Sequence, residues 1–360
     1  MNTLPSRNAV DCVGPAFETA KTMMFKPFQW AKWWRIGLLG LATGEAAGSG
    51  GCNFNLGDLS ELGKATRTPP QEFLQSVPPW QNLPMAQLAA LITILVVLLV
   101  LLVLVHLYIG SVLRFVLFDA VTRGRYRIRE GWNRWHAHGM RYFGFQLLLI
   151  FISLVGYGVL IGLPVLVGVS LGVFKNAQQH WGLIALGVLV FLPLVLLFAL
   201  ALAIVLVFFK DFAVPIMALE NLPAMDAWRR VLAMVKPAKG EYALYIIMKI
   251  GLTIGAAIVV GIAQFIVFII PIIIVVAIGV GVFAAVPGLI KTPAGIALVV
   301  TVAVMVVFVL MLVGAIIAAP VVVFFQAYVL TFFSSRYEPL WRLMYPAPPP
   351  IPEPPPLPAM

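Results

Sequence analysis

Long apolar runs constrain this chain more than any other feature of its sequence. Residues 182–209 contain no charged side chain, and residues 85–118 contain a single one, Arg114. A helix needs about 20 predominantly apolar residues to cross the hydrocarbon core of a bilayer, and both runs exceed that length. The sequence therefore predicts an all-α integral membrane protein.

The overall composition agrees with this class. Of the 360 residues, 62% are hydrophobic and 11% are charged, whereas a soluble domain carries roughly 25% charged residues. The formal net charge of +10 could indicate nucleic-acid binding, but the basic residues lie beside apolar spans and alternate by loop. That distribution is typical of membrane topology, so we expect a lipid bilayer and no nucleic acid as the partner.

Six transmembrane helices are predicted. Before them, residues 1–14 are expected to be flexible, and residues 15–35 combine aromatic and basic side chains, as in a helix that lies in the headgroup region. Residues 49–84 are rich in turn formers and predict a loop, and residues 346–360 predict a disordered, proline-rich tail. The membrane domain thus extends over 15–345. The predicted spans are about 33–48, about 85–118, one from Phe143, about 182–209, one from near Ala243, and about 295–333.

The basic residues predict the orientation. In this topology 20 of the 24 Lys and Arg residues fall on one side of the membrane, which is the cytoplasmic side by the positive-inside rule. Both termini are therefore expected in the cytoplasm. Cys12 and Cys52 fall on opposite sides and cannot pair, and His136 and His138 lack the helical spacing of a metal pair. We expect no disulfide, metal or cofactor.

The chain also contains an internal repeat. Val207–Val214 resembles Val323–Leu330, and each segment ends an even-numbered span; Arg114–Asp119 is a weaker match. These similarities predict three units of about 15–118, 119–209 and 210–333, each an interfacial helix followed by a helix pair. Similar Val, Ile and Phe content by chance is the alternative explanation.

Three motifs carry a resemblance to a known group of proteins. They are Phe25-Lys-Pro-Phe28 leading into Trp33-Trp34, Lys210-Asp211-Phe212-Ala213-Val214-Pro215-Ile216-Met217, and Ala227-Trp228-Arg229-Arg230. With them, the chain resembles bacterial multi-pass membrane families of unknown function that are similar to the membrane domain fused to glycerophosphodiester phosphodiesterases. The resemblance implies a location in the bacterial cytoplasmic membrane. It implies no activity, and the acidic and histidine cluster of the phosphodiesterase domain is absent from the sequence.

Patches of basic and aromatic residues are the main functional candidates. Anionic headgroups attract each Lys or Arg by about 1 kcal/mol, and Trp prefers the membrane interface. The alternative is that these patches only set topology. The lipid-interface candidates are Trp30, Lys32, Trp33, Trp34, Arg35, Arg125, Arg127, Arg129, Trp132, Trp135, Trp228, Arg229 and Arg230.

A second set of candidates is polar and lies in or at the edge of spans. Asp119 and Asp211 could line a cytoplasmic cavity, or each could pair with a nearby Lys or Arg. Arg114 and Lys249 are expected to extend to the headgroups, and Gln264 is expected to hydrogen-bond between helices. No Asp or Glu is expected in the body of any span. The set is His106, Arg114, Asp119, Lys210, Asp211, Lys249 and Gln264.

These features favour a non-enzymatic membrane protein that contacts lipid or organises a partner at the cytoplasmic face or at the proline-rich tail. A transporter or channel subunit for a small or lipidic substrate is the alternative. The breaks at Gly162–Pro164 and Pro271 favour the transporter, because broken helices can line binding sites. The expected lack of intramembrane carboxylates argues against it. No nucleophile–base pair is present to indicate an enzyme.

Overall fold

The computed structural model describes residues 7–48, 85–174, 178–286, 288 and 292–346. These residues form helices and no strand. The predicted loop at 49–84 lies outside the described residues, as do residues 1–6 and 347–360 of the two predicted flexible ends. In chain order the main helices are α1 Val13–Phe25, α2 Trp30–Thr43, α3 Glu45–Gly48, α4 Met85–Arg123, α5 Ile128–Tyr157, α6 Leu163–Ser170, α7 Trp181–Phe208, α8 Val214–Glu220, α9 Ala224–Val235, α10 Lys239–Ala285, α11 Pro293–Ser334 and α12 Glu338–Met344.

Five helical stretches of the described residues are long and apolar enough to cross a membrane, by length and composition. They correspond to five of the six predicted spans. The remaining prediction, 33–48, coincides with α2 and α3, which have 14 and 4 residues. The five stretches are Ile92–Arg123, Ile128–Ser170, Trp181–Glu220, Ala224–Val282 and Ala294–Ser334.

Each long helix has one packed end and one exposed end. Buried side chains lie near the C-terminus of α4, the N-terminus of α5 and the C-terminus of α11, for example Phe115, Tyr142 and Phe332. The opposite ends expose large apolar side chains, such as Ile94 in α4. At 1.5 Å per residue, the 39 residues of α4 extend about 58 Å, roughly twice the hydrocarbon thickness. We call the region where the buried segments meet the packed end.

The N-terminal helices pack against this end. Gly37 of α2 lies so close to α11 that an added Cβ would come within 3.0 Å of the Ala315 carbonyl oxygen, and a Cβ on Gly110 of α4 would come within 2.6 Å of the Ala42 oxygen. Small residues of this kind let membrane helices approach closely. Because Ala9 and Cys12 are also buried, residues 7–14 pack onto the core, and the prediction of a flexible segment over 1–14 is wrong for them.

Two helix boundaries differ from the prediction. The interfacial helix expected over 15–35 is two helices, since α1 ends at Phe25 and α2 begins at Trp30; Pro27 in between lacks an amide donor and favours such a break. Conversely, the basic segment before Phe143 does not form a separate interfacial helix. It is the first part of α5, which continues without interruption from Ile128 to Tyr157.

Candidate functional site

A cluster of ion pairs joins four separate helical segments at the packed end. A π-helix, Phe209–Ala213, follows α7 and carries Lys210 and Asp211. Pro215 lies two residues after its end and cannot donate a backbone hydrogen bond, and π turns interrupt α-helices as single turns of this kind. In this turn both consecutive charged side chains reach partners in the interior.

Lys210 pairs with Glu45, the first residue of α3. The Nζ–Oε2 distance is 2.6 Å, and Glu45 Oε1 lies 3.5 Å from Nη1 of Arg114. Arg114 also donates from Nη2 to the Thr43 carbonyl oxygen at 2.7 Å. The side chains of Glu45 and Arg114 are only 14% and 11% exposed, so these interactions operate away from solvent, where charges attract more strongly.

Asp211 has its own partners on α10. Its Oδ2 pairs with Lys249 Nζ and accepts a hydrogen bond from the Tyr245 hydroxyl at 2.8 Å. Tyr245 is fully buried and stacks on Phe332. Together with Glu45, Lys210 and Arg114, this pair forms what we call the ion cluster, which contains three cationic and two anionic groups.

The ion cluster corrects three expectations. Arg114 and Lys249 do not extend to the headgroups, because each is mostly buried and paired with a carboxylate. The expectation that no span contains a carboxylate is also wrong, since Glu45 lies within the predicted span 33–48 and inside the cluster. Glu45 was missed as a site residue; its position as the one charged residue of the apolar run 36–48 was the signal that could have identified it.

The other polar candidates lie apart from the cluster. Asp119 pairs with Arg123 at 3.0 Å and Arg134 at 3.1 Å, and it also lines a cavity of about 340 Å³, so both alternatives given for it hold. Gln264 donates to the Gly314 carbonyl oxygen at 3.2 Å, which confirms the expected bond between helices. His106 is exposed on α4 and lines, with Arg114, a cavity of about 190 Å³ beside the cluster.

Two of the sequence patches form one surface around Tyr126. Lys32 Nζ of α2 lies 5.8 Å from the Tyr126 ring centroid, and Arg35 Cζ lies 5.7 Å from the same centroid. Both are cation–π distances. Tyr126 belongs to the short connection between α4 and α5, so this contact joins the beginning of α2 to that connection. We call the combined region the basic aromatic surface; it comprises Trp30, Lys32, Trp34, Arg35, Arg125, Tyr126, Arg127 and Arg129.

The surface combines exposed aromatic rings with unneutralised cations. Trp30 is 61% exposed, and Trp34 is exposed beside Arg35. Arg127 pairs with Glu130 at 2.7 Å. Within the described residues, Arg125 and Arg129 have no carboxylate at ion-pair distance, and both are exposed. Exposed Trp beside unpaired Arg is the combination that the headgroup region of an anionic membrane attracts.

Four other tryptophans predicted at the lipid interface have structural contacts instead. Trp135 is 5% exposed and stacks on Phe115, so its prediction as a lipid contact is wrong. Trp33 donates from Nε1 to the Met24 carbonyl oxygen at 3.0 Å and so joins α2 to α1. Trp132 and Trp228 are partly buried against aromatic neighbours, among them Tyr108 and Phe209 respectively.

The remaining basic candidates lie on α9. Arg229 pairs with Asp226 at 3.2 Å, and Arg230 pairs with Glu220 at 3.1 Å. Both arginines are exposed, but their charges are already balanced. Exposed pairs of this kind contribute about 0–1 kcal/mol to stability. The structure therefore separates these two residues from the unpaired arginines of the basic aromatic surface.

Comparison with known proteins places the whole described body in one family. No curated protein and no solved structure matches the chain. A profile for a family of unknown function, DUF7544, matches residues 7–342, which include α1 through the ion cluster and most of α12. Since this match covers nearly all of the chain, the protein belongs to the DUF7544 family of unknown function.

Proposed function

We propose that this protein is a non-enzymatic multi-pass membrane protein that binds anionic lipid through its basic aromatic surface at the cytoplasmic face. The observation that carries the proposal is the arrangement around Tyr126, where exposed Trp30 and Trp34 accompany five basic residues from two distant parts of the chain. Topology signals need only charges near the spans. A surface assembled by tertiary contacts around an aromatic ring is suited to binding lipid headgroups.

We further propose six crossings with both termini in the cytoplasm. Five of the described helices are long and apolar enough to cross a membrane. Arg7 Nη1 donates to the Tyr345 hydroxyl at 3.2 Å, so the two ends of the described chain lie together. An even number of crossings is needed for that, and we assign the sixth to the predicted span 33–48. The excess of Lys and Arg assigns the packed end to the cytoplasm.

The three-unit repeat fits the same arrangement. The residues that directly follow the aligned positions Asp119, Asp211 and Ala327 are Ala120, Phe212 and Tyr328, and all three are fully buried at the packed end. Asp119 and Asp211 both form ion pairs, whereas Ala327 stands at the corresponding position of the last unit. The proposed units therefore share buried hydrophobic positions and differ in their charged residues.

A triple substitution tests the lipid-binding function. Arg125, Arg127 and Arg129 are replaced by Gln, and the purified protein is assayed for co-purifying and added anionic lipid in nanodiscs. We expect lipid association to fall while membrane insertion is retained, because none of the three arginines contributes to the core. Unchanged association would show that the surface is a topology signal and would refute the proposal.

A transporter or channel subunit is the second candidate, and the ion cluster favours it. Ionisable groups inside membrane domains mark ion and substrate pathways, and Arg114 connects the cluster to the cavity that His106 lines. This candidate predicts solute or ion flux in proteoliposomes. Asp211→Asn should abolish the flux, and Glu18→Gln, on the exposed face of α1, should leave it unchanged.

The proposal also includes three expectations from the sequence. They are the resemblance to the membrane domain of glycerophosphodiester phosphodiesterases, a bacterial origin and a protein partner at the tail.

A further inference from the structure

The connection between α4 and α5 lines an open cleft. Its volume is about 340 Å³, which lies within the range of about 300–1,000 Å³ for small-ligand sites. Gly124, with φ of +67°, reverses the chain there, a backbone conformation that glycine adopts readily. The cleft is lined by Asp119, Gly124, Arg125, Tyr126, Arg127, Glu130, Gly131 and Arg134.

Among the described residues, the carboxylates of the cleft leave one lining cation outside any ion pair. Both carboxylates are neutralised: Asp119 by Arg123 and Arg134, and Glu130 by Arg127. Arg125 then remains as a lining guanidinium with no carboxylate at ion-pair distance in the described part of the chain. A guanidinium has five N–H donors in a planar fork that matches phosphate oxygens.

Aromatic neighbours connect the cleft to the membrane interface. Tyr126 forms part of its wall, and Arg35 Cζ lies 5.7 Å from the Tyr126 ring and 5.4 Å from the Trp34 ring. Trp34 is exposed, and exposed Trp rings lie at headgroup level in membranes. A phosphate that enters from the bilayer surface therefore has a continuous path of aromatic and cationic groups into the cleft.

We propose that this cleft binds the phosphate group of one anionic phospholipid, with Arg125 as the main anion contact. The inference rests on the proposed lipid-binding function and narrows it from a diffuse surface to one saturable site. Arg127 and Arg134 supply surrounding positive charge while they hold the two carboxylates. Tyr126 is held in the lining of the cleft, because Lys32 and Arg35 both contact its ring.

The test compares two single substitutions of equal charge. Arg125 lines the cleft, whereas Arg129 is an equally exposed and unpaired arginine that does not. Full-length protein in detergent is titrated with phosphatidylglycerol, and bound lipids are counted by native mass spectrometry. We expect one tightly bound phosphatidylglycerol, lost about tenfold more readily in Arg125→Gln than in Arg129→Gln, because a charge-assisted hydrogen bond is stronger than attraction to a diffuse surface charge.

The other outcomes each decide a separate claim. An equal loss of bound phosphatidylglycerol in both variants would refute the cleft as a specific site but would still support a lipid-binding surface. No loss of bound lipid in either variant would refute both proposals. Displacement of the bound lipid by inorganic phosphate at matched ionic strength would show that free phosphate is the ligand and overturn the lipid assignment. Melting temperatures of both variants equal to that of the unsubstituted protein confirm that neither is misfolded, as their exposed positions lead us to expect.

Discussion

Lys210 Nζ lies 2.6 Å from Glu45 Oε2, so a residue that follows the short helix α2 is tied to the π-helix that follows α7. Glu45 also faces Arg114 of α4 at 3.5 Å. One carboxylate thus balances two buried cations from two helices. Removing one partner of a buried pair leaves an uncompensated charge, which is more destabilising than the pair itself is stabilising.

Glu45→Gln is therefore expected to destabilise the protein by about 3 kcal/mol. The measurement is the thermal melting temperature in detergent. Glu18→Gln is the matched control, because Glu18 pairs with Lys21 on the exposed face of α1 and such pairs contribute little. A melting temperature of Glu45→Gln equal to that of the control would show that Glu45 is not needed to balance the two cations.

Gly110→Ala is expected to destabilise the contact between α4 and α2. The new Cβ would come within 2.6 Å of the Ala42 carbonyl oxygen, and backbone cannot move aside as a flexible side chain can. Gly255→Ala in α10 is the control, since an added Cβ there has no atom within 4 Å. Ala is a better helix former by about 1 kcal/mol, so the control should be neutral or stabilising. A lower melting temperature in both variants would contradict the close approach.

Cys12 is expected to resist alkylation in the folded protein. Cys12 directly precedes α1 and is fully buried, and burial raises the pKa of Cys12 to about 11. An unburied thiol has a pKa of 9.0, so at neutral pH the folded thiolate population is smaller by about 100-fold. In a Cys52→Ser background, maleimide labelling should be slow until the protein is unfolded in SDS.

Labelling of Cys12 should also accelerate as the pH rises towards 11, because the reactive thiolate then forms. A cysteine placed at exposed Glu18 in a chain without Cys12 and Cys52 gives the reference rate. If Cys12 reacts as fast as that reference at neutral pH, the N-terminal segment is not packed on the core.

The topology predicts opposite locations for two reporters. A reporter fused after Met360 should be cytoplasmic, and one inserted near Asn55 should be outside. The reason is that an even number of crossings, six, returns the chain to the side on which it began, whereas Asn55 follows only the first proposed crossing. Alkaline phosphatase and a fluorescent protein, active on opposite sides, provide the measurement. Detection of both positions on the same side would refute the six-crossing topology.

The polar candidates show how far sequence reasoning extends to a site. Arg114, Lys210, Asp211 and Lys249 were each identified separately, because a charge near an apolar run is conspicuous. Their common partner, Glu45, was not recognised, and Arg114 and Lys249 were assigned to the headgroups. A long basic side chain near the end of a span can extend outward or inward, and only the position of a carboxylate on another helix decides between these directions.

The sequence by itself determined the class of protein, the five long helices and the uneven distribution of basic residues. Each of these depends on the free energy of transferring a run of consecutive residues from water to an apolar phase. That free energy is set by residues that are neighbours in the chain, so it can be read from the sequence. Tertiary structure alone decided that Trp135 is buried while Trp30 is exposed, and that Lys32, Arg35 and Arg125 belong to one surface. Side-chain burial and charge pairing depend on which helix covers a position, and that helix is contributed by a distant part of the chain.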